Sequence, residues 1–232
     1  MSGIRRVLTR PRQLSHSLDA YKPTRISRTN TARQSESAGT ITICRYAATT
    51  ELHMGFRVSW IAQARVATDQ LLEAANRAVT GERHDFPDTG WYLLELPNAE
   101  AQPWVVLIAD GSDHFAELDA SDAQELSKGG YETIYFWCSD TVMATEIVAF
   151  NNGIENWSVQ YDCDDTSKQP TMNGNVPAVA NEIFARLKAQ QQADSSADYV
   201  YDLTAELGRL LVGFRHDMDV QQDDPEPFQV LK

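Results

Sequence analysis

Histidine and aspartate stand side by side at three places in the sequence, and these pairs are the residues best suited to do chemistry. They are His84 with Asp85, Asp113 with His114, and His216 with Asp217. A carboxylate beside an imidazole can orient the ring and raise its basicity, which suits a metal ligand or an acid–base pair. Neighbouring side chains point to opposite faces of a strand and diverge by roughly 100° on a helix. A shared catalytic site therefore requires His84, His114, His216 and Asp217 to converge from separate pairs.

Other patterns that could support chemistry are incomplete. Residues 110–113 resemble the first half of a calcium loop but lack the later bidentate glutamate. Residues 162–165 form an acidic run that is typical of a solvated turn. The sequence contains no nucleophile elbow, P-loop, metalloprotease or dinucleotide-binding motif. We therefore predict no resident metal or cofactor and expect the three pairs to be polar loop residues, with a convergent cleft as the alternative.

The three cysteines, Cys44, Cys138 and Cys163, are an odd number without metal-ligand spacing. This pattern argues against a disulfide framework and a thiolate metal site, and it favours a reducing cytosol. Cys138 lies in an apolar predicted strand and is expected to be a small buried hydrophobe. Cys163 is surrounded by aspartates, which should raise its pKa and make it a poor nucleophile.

The net charge of −13 conceals two segments of opposite sign. Residues 1–53 hold nine basic and three acidic side chains, a net of +6, whereas residues 54–232 hold 11 basic and 30 acidic ones, a net of −19. The first segment has too few large aliphatic residues to build a core. We expect a disordered basic leader at residues 1–53 and a single acidic domain at residues 54–232.

The leader admits three interpretations. Its arginine- and serine-rich, acid-poor composition is typical of an organellar transit peptide, and a basic arm can also bind nucleic acid. We favour the third, an upstream extension with the natural start at Met54, because Met54 directly precedes the first convincing strand. A secretory signal is excluded because no apolar stretch follows Arg5 and Arg6, and no run in the leader approaches the roughly 20 residues of a membrane-spanning helix.

Hydrophobic periodicity divides the acidic domain into strands and helices. Period-2 alternation or continuous apolar runs predict strands at residues 57–64, 91–96, 104–109, 131–138, 142–150 and 157–161. The run at 104–109 is expected to be a central strand buried on both faces. Helical spacing predicts a helix capped by Thr68 and ended by Gly81, a short helix at 120–128, a helix beginning near Pro177, and a last helix capped by Asp202 or Thr204.

These elements predict an α+β protein with a mostly antiparallel sheet of about six strands. One helix follows the first strand, and the two C-terminal helices pack on one face of a sheet whose other face is open. The aromatic residues lie almost entirely on predicted strands, where they are expected to pack the core. The alternative is that they form an exposed face for a protein partner.

Four short segments resemble a family of small, uncharacterised bacterial proteins. They are Ser59-Trp60-Ile61-Ala62, Thr80-Gly81-Glu82, Gly90-Trp91-Tyr92-Leu93 and the GFRHD motif, Gly213-Phe214-Arg215-His216-Asp217. The resemblance spans the chain from about Phe56 onward and omits the leader, which favours a start at Met54. It implies a shared architecture and a bacterial origin, and it carries no activity.

The GFRHD motif also has a structural interpretation. Gly213 fits a helix C-cap, and Phe214 is suited to anchor the helix end to the core. Arg215 and His216 then complement the negative end of the helix dipole. A functional role would require Arg215 and His216 to project into a pocket.

The charge of the acidic domain points to a class of partner. A net of −19 repels phosphates, which argues against nucleic-acid binding, and it attracts basic proteins. Solubility is the alternative reason for such a charge. We predict a cytoplasmic, non-catalytic protein-binding module, similar to an immunity protein, that engages a basic protein and not a membrane. The alternative is a small metal-assisted hydrolase that uses the His and Asp residues above.

Overall fold

In the part of the chain that the structure describes, the alternating and helical patterns form nine strands and four α-helices. The computed structural model describes residues 55–97, 102–220 and 222–232, all within the unit Thr50–Lys232. In these residues the strands are β1 (Arg57–Ala64), β2 (Val79–His84), β3 (Gly90–Leu96), β4 (Trp104–Asp110), β5 (Thr133–Ser139), β6 (Ala144–Asn151), β7 (Ile154–Asp162), β8 (Thr171–Gly174) and β9 (Phe228–Leu231). The helices are α1 (Thr68–Ala74), α2 (Ala120–Ser127), α3 (Ala178–Ala193) and α4 (Leu203–Val212), with 3₁₀ turns at Phe115–Glu117 and Tyr199–Asp202.

The strands form one antiparallel sheet in the order β2-β9-β3-β4-β1-β5-β6-β7-β8. Strands β5 to β8 follow one another as a meander, and β1 lies in the middle of the sheet between β4 and β5. The turn from β6 to β7 contains Asn152 and Gly153, both with positive φ (52° and 77°). Tight hairpins require such backbone angles, and Asn-Gly supplies them at little cost.

Helices cover both faces of the sheet. On one face, α3 and α4 pack over a core that includes Trp60 stacked on Phe136, with ring centroids 5.1 Å apart. On the other face, α1, α2 and the turn Phe115–Glu117 pack over a second core that includes Leu107 and Tyr135. The expectation of an open face is therefore wrong, because the apolar residues that alternate on the second face are buried under α1 and α2.

The α+β class and the antiparallel sheet are confirmed, but the sheet has nine strands rather than about six. The additional strands are β2, β8 and β9. Five of the six residues of β2 are exposed, and β8 and β9 have four residues each, so none of the three has a clear period-2 pattern. The central position of β4 is confirmed, since every residue of it except Asp110 is buried.

Two helix boundaries differ from the prediction for local reasons. Helix α1 ends at Ala74 rather than Gly81, because Asn76 adopts a left-handed φ of 51° that stops the helix. The chain then turns into β2, which places Gly81 inside a strand. The predicted cap at Thr68 is also wrong, since its hydroxyl donates to Glu95 instead.

The expected caps of α4 serve other contacts. Asp202 precedes the helix but accepts no capping hydrogen bond, and it pairs with Arg215. The Thr204 hydroxyl lies 2.6 Å from the hydroxyl of Thr145 on β6. The C-terminal cap is confirmed, because Gly213 has the left-handed φ of 90° expected there.

Some predictions fall on residues beyond the described ranges. The basic leader at residues 1–53, the start at Met54 and Cys44 lie outside them. Among the helices of the described residues, none has both the length and the apolar character needed to cross a bilayer.

Candidate functional site

The three histidines of the His and Asp pairs have separate partners. His84 lies on β2, where its Nε2 is 3.1 Å from Oε1 of Glu82. His114 precedes the turn Phe115–Glu117, and its Nδ1 is 3.2 Å from Oε1 of Glu117. Within residues 55–97, 102–220 and 222–232, no group of three or more His, Cys, Asp or Glu side chains is arranged to hold a metal ion.

His216 lies in the core and contacts a cysteine that the sequence analysis did not connect with it. Its ring is only 9% exposed, packs between Phe56 and Phe136, and places Nε2 3.4 Å from Sγ of Cys138. Burial lowers the pKa of His216 to about 4 and raises the pKa of the Cys138 thiol. Both groups are therefore neutral at pH 7, so the thiol is not activated as a nucleophile.

Arg215 carries the positive charge of the GFRHD motif. Its Nε donates to Oδ1 of Asp217 at 2.6 Å and its Nη2 donates to Oδ1 of Asp202 at 3.2 Å. Asp217 is thus a partner of Arg215 and not of the His216 ring. The expectation that His216 complements the helix dipole is wrong, because burial keeps the imidazole uncharged. Phe214 is buried as expected.

The predicted burial of Cys138 is confirmed, and the pKa of the Cys163 thiol is raised as predicted, with burial as the larger cause. Cys138 is 1% exposed and lies in the core. Cys163 follows β7 and is half-buried. Burial, with the negative charge of Asp164 adding to it, raises the pKa of its thiol. Neither thiol has the electropositive setting that makes cysteine reactive.

A cavity of about 710 Å³ lies on the sheet face that α1 and α2 cover. Trp91 and Leu107 of the sheet contribute apolar surface to it, and Gln63 adds a polar group. Gln63 is only 2% exposed and donates from Nε2 to Oγ1 of Thr133 at 3.1 Å. The cavity is therefore built on the core, in a part of the molecule that the sequence analysis left unassigned.

In this cavity, Arg77 contacts both an aromatic ring and a carboxylate. Its guanidinium carbon lies 3.7 Å from the centre of the Trp91 ring, and Nη2 donates to Oε2 of Glu117 at 3.1 Å. The hydrogen bond with His114, together with Arg77, holds the pKa of Glu117 below its usual range. The site thus binds a guanidinium by ring stacking and by a carboxylate that stays ionised.

The turn after α1 sets the position of Arg77. Asn76 adopts its left-handed conformation there, and the N–H of Arg77 donates to the carbonyl of Leu72 at 2.9 Å. These local bonds hold the backbone of residue 77 at the end of α1.

Three further carboxylates line the cavity. Asp122 accepts from the N–H of Asp119 at 3.0 Å, and Glu125 pairs with Lys128. The carboxylate of Glu73 has no hydrogen-bond or ion-pair partner among the described residues. With Glu117, the lining holds four acidic side chains and one basic one, a net formal charge of −3.

The sequence carries a partial signal for this cavity. From residue 110 to residue 125 the chain holds six acidic side chains and no lysine or arginine. Arg77 and Trp91 lie far from this segment in the chain, and only the packing of α1 and α2 on the sheet brings them to it.

The site belongs to an α+β protein in which helices cover both faces of a nine-stranded antiparallel sheet. No known protein family matches this chain, and no curated protein or solved structure is significantly similar to it. The resemblance of the GFRHD segment to uncharacterised bacterial proteins therefore stays a prediction.

Proposed function

We propose that this protein is a non-catalytic binding module, comparable to an immunity protein, that engages a basic protein through the carboxylate-lined cavity between α1 and α2. The observation that carries the proposal is the composition of that cavity, four carboxylates and one guanidinium beside apolar surface. A long basic side chain can lay its aliphatic stem on apolar surface while its charged end meets a carboxylate. A cytoplasmic location, expected from the use of cysteine, is part of this proposal.

The charge of the acidic domain supports the same partner. A net of −19 over residues 54–232 attracts a basic protein from a distance, and the cavity offers it a defined place to dock. Because such attraction is screened by salt, the complex should form faster and bind more tightly at low ionic strength.

The test compares two charge-matched triple variants of the full chain. Glu73→Gln, Asp122→Asn and Glu125→Gln remove three negative charges from the cavity. The control, Glu155→Gln, Glu182→Gln and Asp223→Asn, removes three exposed charges elsewhere, none of which forms an ion pair in the described residues. Each tagged protein is purified from the cells that naturally produce it. Co-purifying proteins are identified by mass spectrometry, and binding of the purified partner is measured by calorimetry at two NaCl concentrations.

We expect a stoichiometric basic protein to be retained by the unaltered chain and by the control. The cavity variant should bind it at least about tenfold more weakly, equivalent to about 1.4 kcal/mol. Recovery of no stoichiometric partner, of an acidic one, or of one that the cavity variant binds equally well would overturn the proposal.

A further inference from the structure

Arg77 shows which kind of cation the cavity is built to hold. A guanidinium is planar and stacks on aromatic faces, whereas an ammonium is a compact, strongly hydrated charge. The guanidinium carbon of Arg77 lies 3.7 Å from the centre of the Trp91 ring, and Glu117 accepts a hydrogen bond from the same group. Ring and carboxylate together hold a guanidinium at this position.

Trp91 also has an unused hydrogen-bond donor. The side chain lines the cavity and is 7% exposed, and its Nε1–H has no partner among the described residues. A buried donor without an acceptor is unfavourable, and this donor belongs to the ring that the guanidinium of Arg77 covers.

A second carboxylate, one without an ion pair in the described residues, lines the cavity that holds Arg77. The carboxylate of Glu73 has no ion-pair partner in the described part of the chain, and both side chains line the same cavity. An Arg77 side chain displaced from Glu117 would thus remain in a cavity that holds a carboxylate without an ion pair among the described residues.

We propose, building on the function proposed above, that the basic partner presents an arginine whose guanidinium replaces Arg77 over Trp91 and beside Glu117. Arg77 is then an internal competitor, and the apparent association constant for the partner is the intrinsic one multiplied by the fraction of molecules in which Arg77 has left the position. The recognised group is specifically an arginine and not a lysine.

The experiment uses the full chain and two small probes of equal charge, N-acetyl-arginine methylamide and N-acetyl-lysine methylamide. Binding is followed by NMR through the indole N–H signal of Trp91, which the variant Trp91→Phe identifies. The variant Arg77→Gln vacates the position, and Arg65→Gln is the control, since it removes the same charge from an exposed arginine next to the cavity residue Val66. Thermal melting checks that each variant is folded.

We expect Arg77→Gln to bind the arginine probe about tenfold more tightly than the unaltered chain, with a shift of the Trp91 signal. The gain should be absent in Arg65→Gln and much smaller for the lysine probe. Adding Glu117→Gln to Arg77→Gln should cancel it.

Three results would overturn the inference: an affinity unchanged by Arg77→Gln, an equal gain for both probes, or a Trp91 signal that does not move. If the cavity triple variant nevertheless loses the partner in the co-purification test, any of these results refutes only the exchange of arginines. The proposed binding function then stands. If that test fails as well, the proposed function fails with it.

Discussion

At the scale of single residues, the contact between His216 and Cys138 has the composition of a catalytic pair and the environment of a core contact. The ring lies between Phe56 and Phe136, and no carboxylate accepts a hydrogen bond from either of its nitrogens in the described residues. Asp217, its neighbour in sequence, is held by Arg215. Charging the imidazole in this apolar setting is unfavourable, so the pair contributes to packing and makes stability depend on pH.

The neutral state of His216 predicts a loss of stability on mild acidification. The pKa of about 4 in the folded protein lies below the ordinary 6.5, so the unfolded chain binds this proton more tightly. The contribution of the uncharged His216 ring to the free energy of unfolding is present above about pH 6.5. It is lost as the pH falls toward 4, by as much as about 3 kcal/mol. Urea unfolding at a series of pH values measures this loss.

The variant His216→Gln serves to isolate this contribution, because glutamine does not titrate and keeps a hydrogen-bonding group near Cys138. Its free energy of unfolding should change less between pH 7 and about pH 4 than that of the unaltered chain. His84→Gln, at a half-buried histidine on the edge strand β2, is the matched control and should keep most of the pH dependence. Equal slopes in all three proteins would refute the assignment to His216.

At the scale of elements, helix α4 approaches the sheet at a residue with poor helix propensity. Gly208 lies inside α4 and is buried. A Cβ atom at this position would lie 2.9 Å from Cζ2 of Trp60, which is stacked on Phe136 in the core. The missing side chain therefore lets the helix pack directly on the indole.

Gly208→Ala should destabilise the protein in spite of better helix propensity. The gain in propensity is about 1 kcal/mol, and overpacking a close contact costs typically about 1–3 kcal/mol. We expect a net loss of about 1 kcal/mol in the free energy of unfolding, measured by chemical denaturation.

A double-mutant cycle distinguishes the clash from other effects of the alanine. Trp60→Phe removes the ring atom that a Cβ at residue 208 would meet. In that background Gly208→Ala should become neutral or stabilising, since only the propensity gain remains. A penalty of the same size with Phe at position 60 would mean that the contact with Trp60 is not its cause.

At the scale of the whole molecule, the acidic excess is larger than the ion pairs of the fold can balance. The 11 basic side chains of residues 54–232 face 30 acidic ones. The ion pairs seen in the described residues are mostly at the surface, where each contributes little. Mutual repulsion among the remaining carboxylates therefore opposes the compact state.

Added salt should raise the stability of this protein. Raising NaCl from about 0.02 M to about 0.2 M shortens the Debye length about threefold and weakens the repulsion. We expect the melting temperature to increase by a few degrees, as measured by circular dichroism.

The exposed-charge triple variant, Glu155→Gln, Glu182→Gln and Asp223→Asn, checks the cause of this increase. With three fewer negative charges it should melt higher at low salt and gain less from added NaCl. A melting temperature that falls on adding salt would show that attractive ion pairs outweigh repulsion in the whole molecule.

Local sequence patterns were sufficient to predict the elements that are long or that have a clear apolar periodicity. The limits of β1 and the start of α2 are as predicted, and the Asn152-Gly153 turn and the Gly213 cap form where their backbone preferences place them. Strand β9 could not be predicted from its four residues. It inserts between β2 and β3, and its pairing depends on strands far from it in the chain.

The sequence by itself determined the α+β class, the buried central strand β4 and the strong negative charge. Hydrophobic periodicity is a property of each short segment, and net charge is a sum over residues, so neither depends on how the elements pack. Only the tertiary structure decided that both faces of the sheet are covered, that His216 meets Cys138, and that Arg77 lies over Trp91 beside Glu117. Each of these contacts joins residues distant in the chain, and close packing of separate elements selects them.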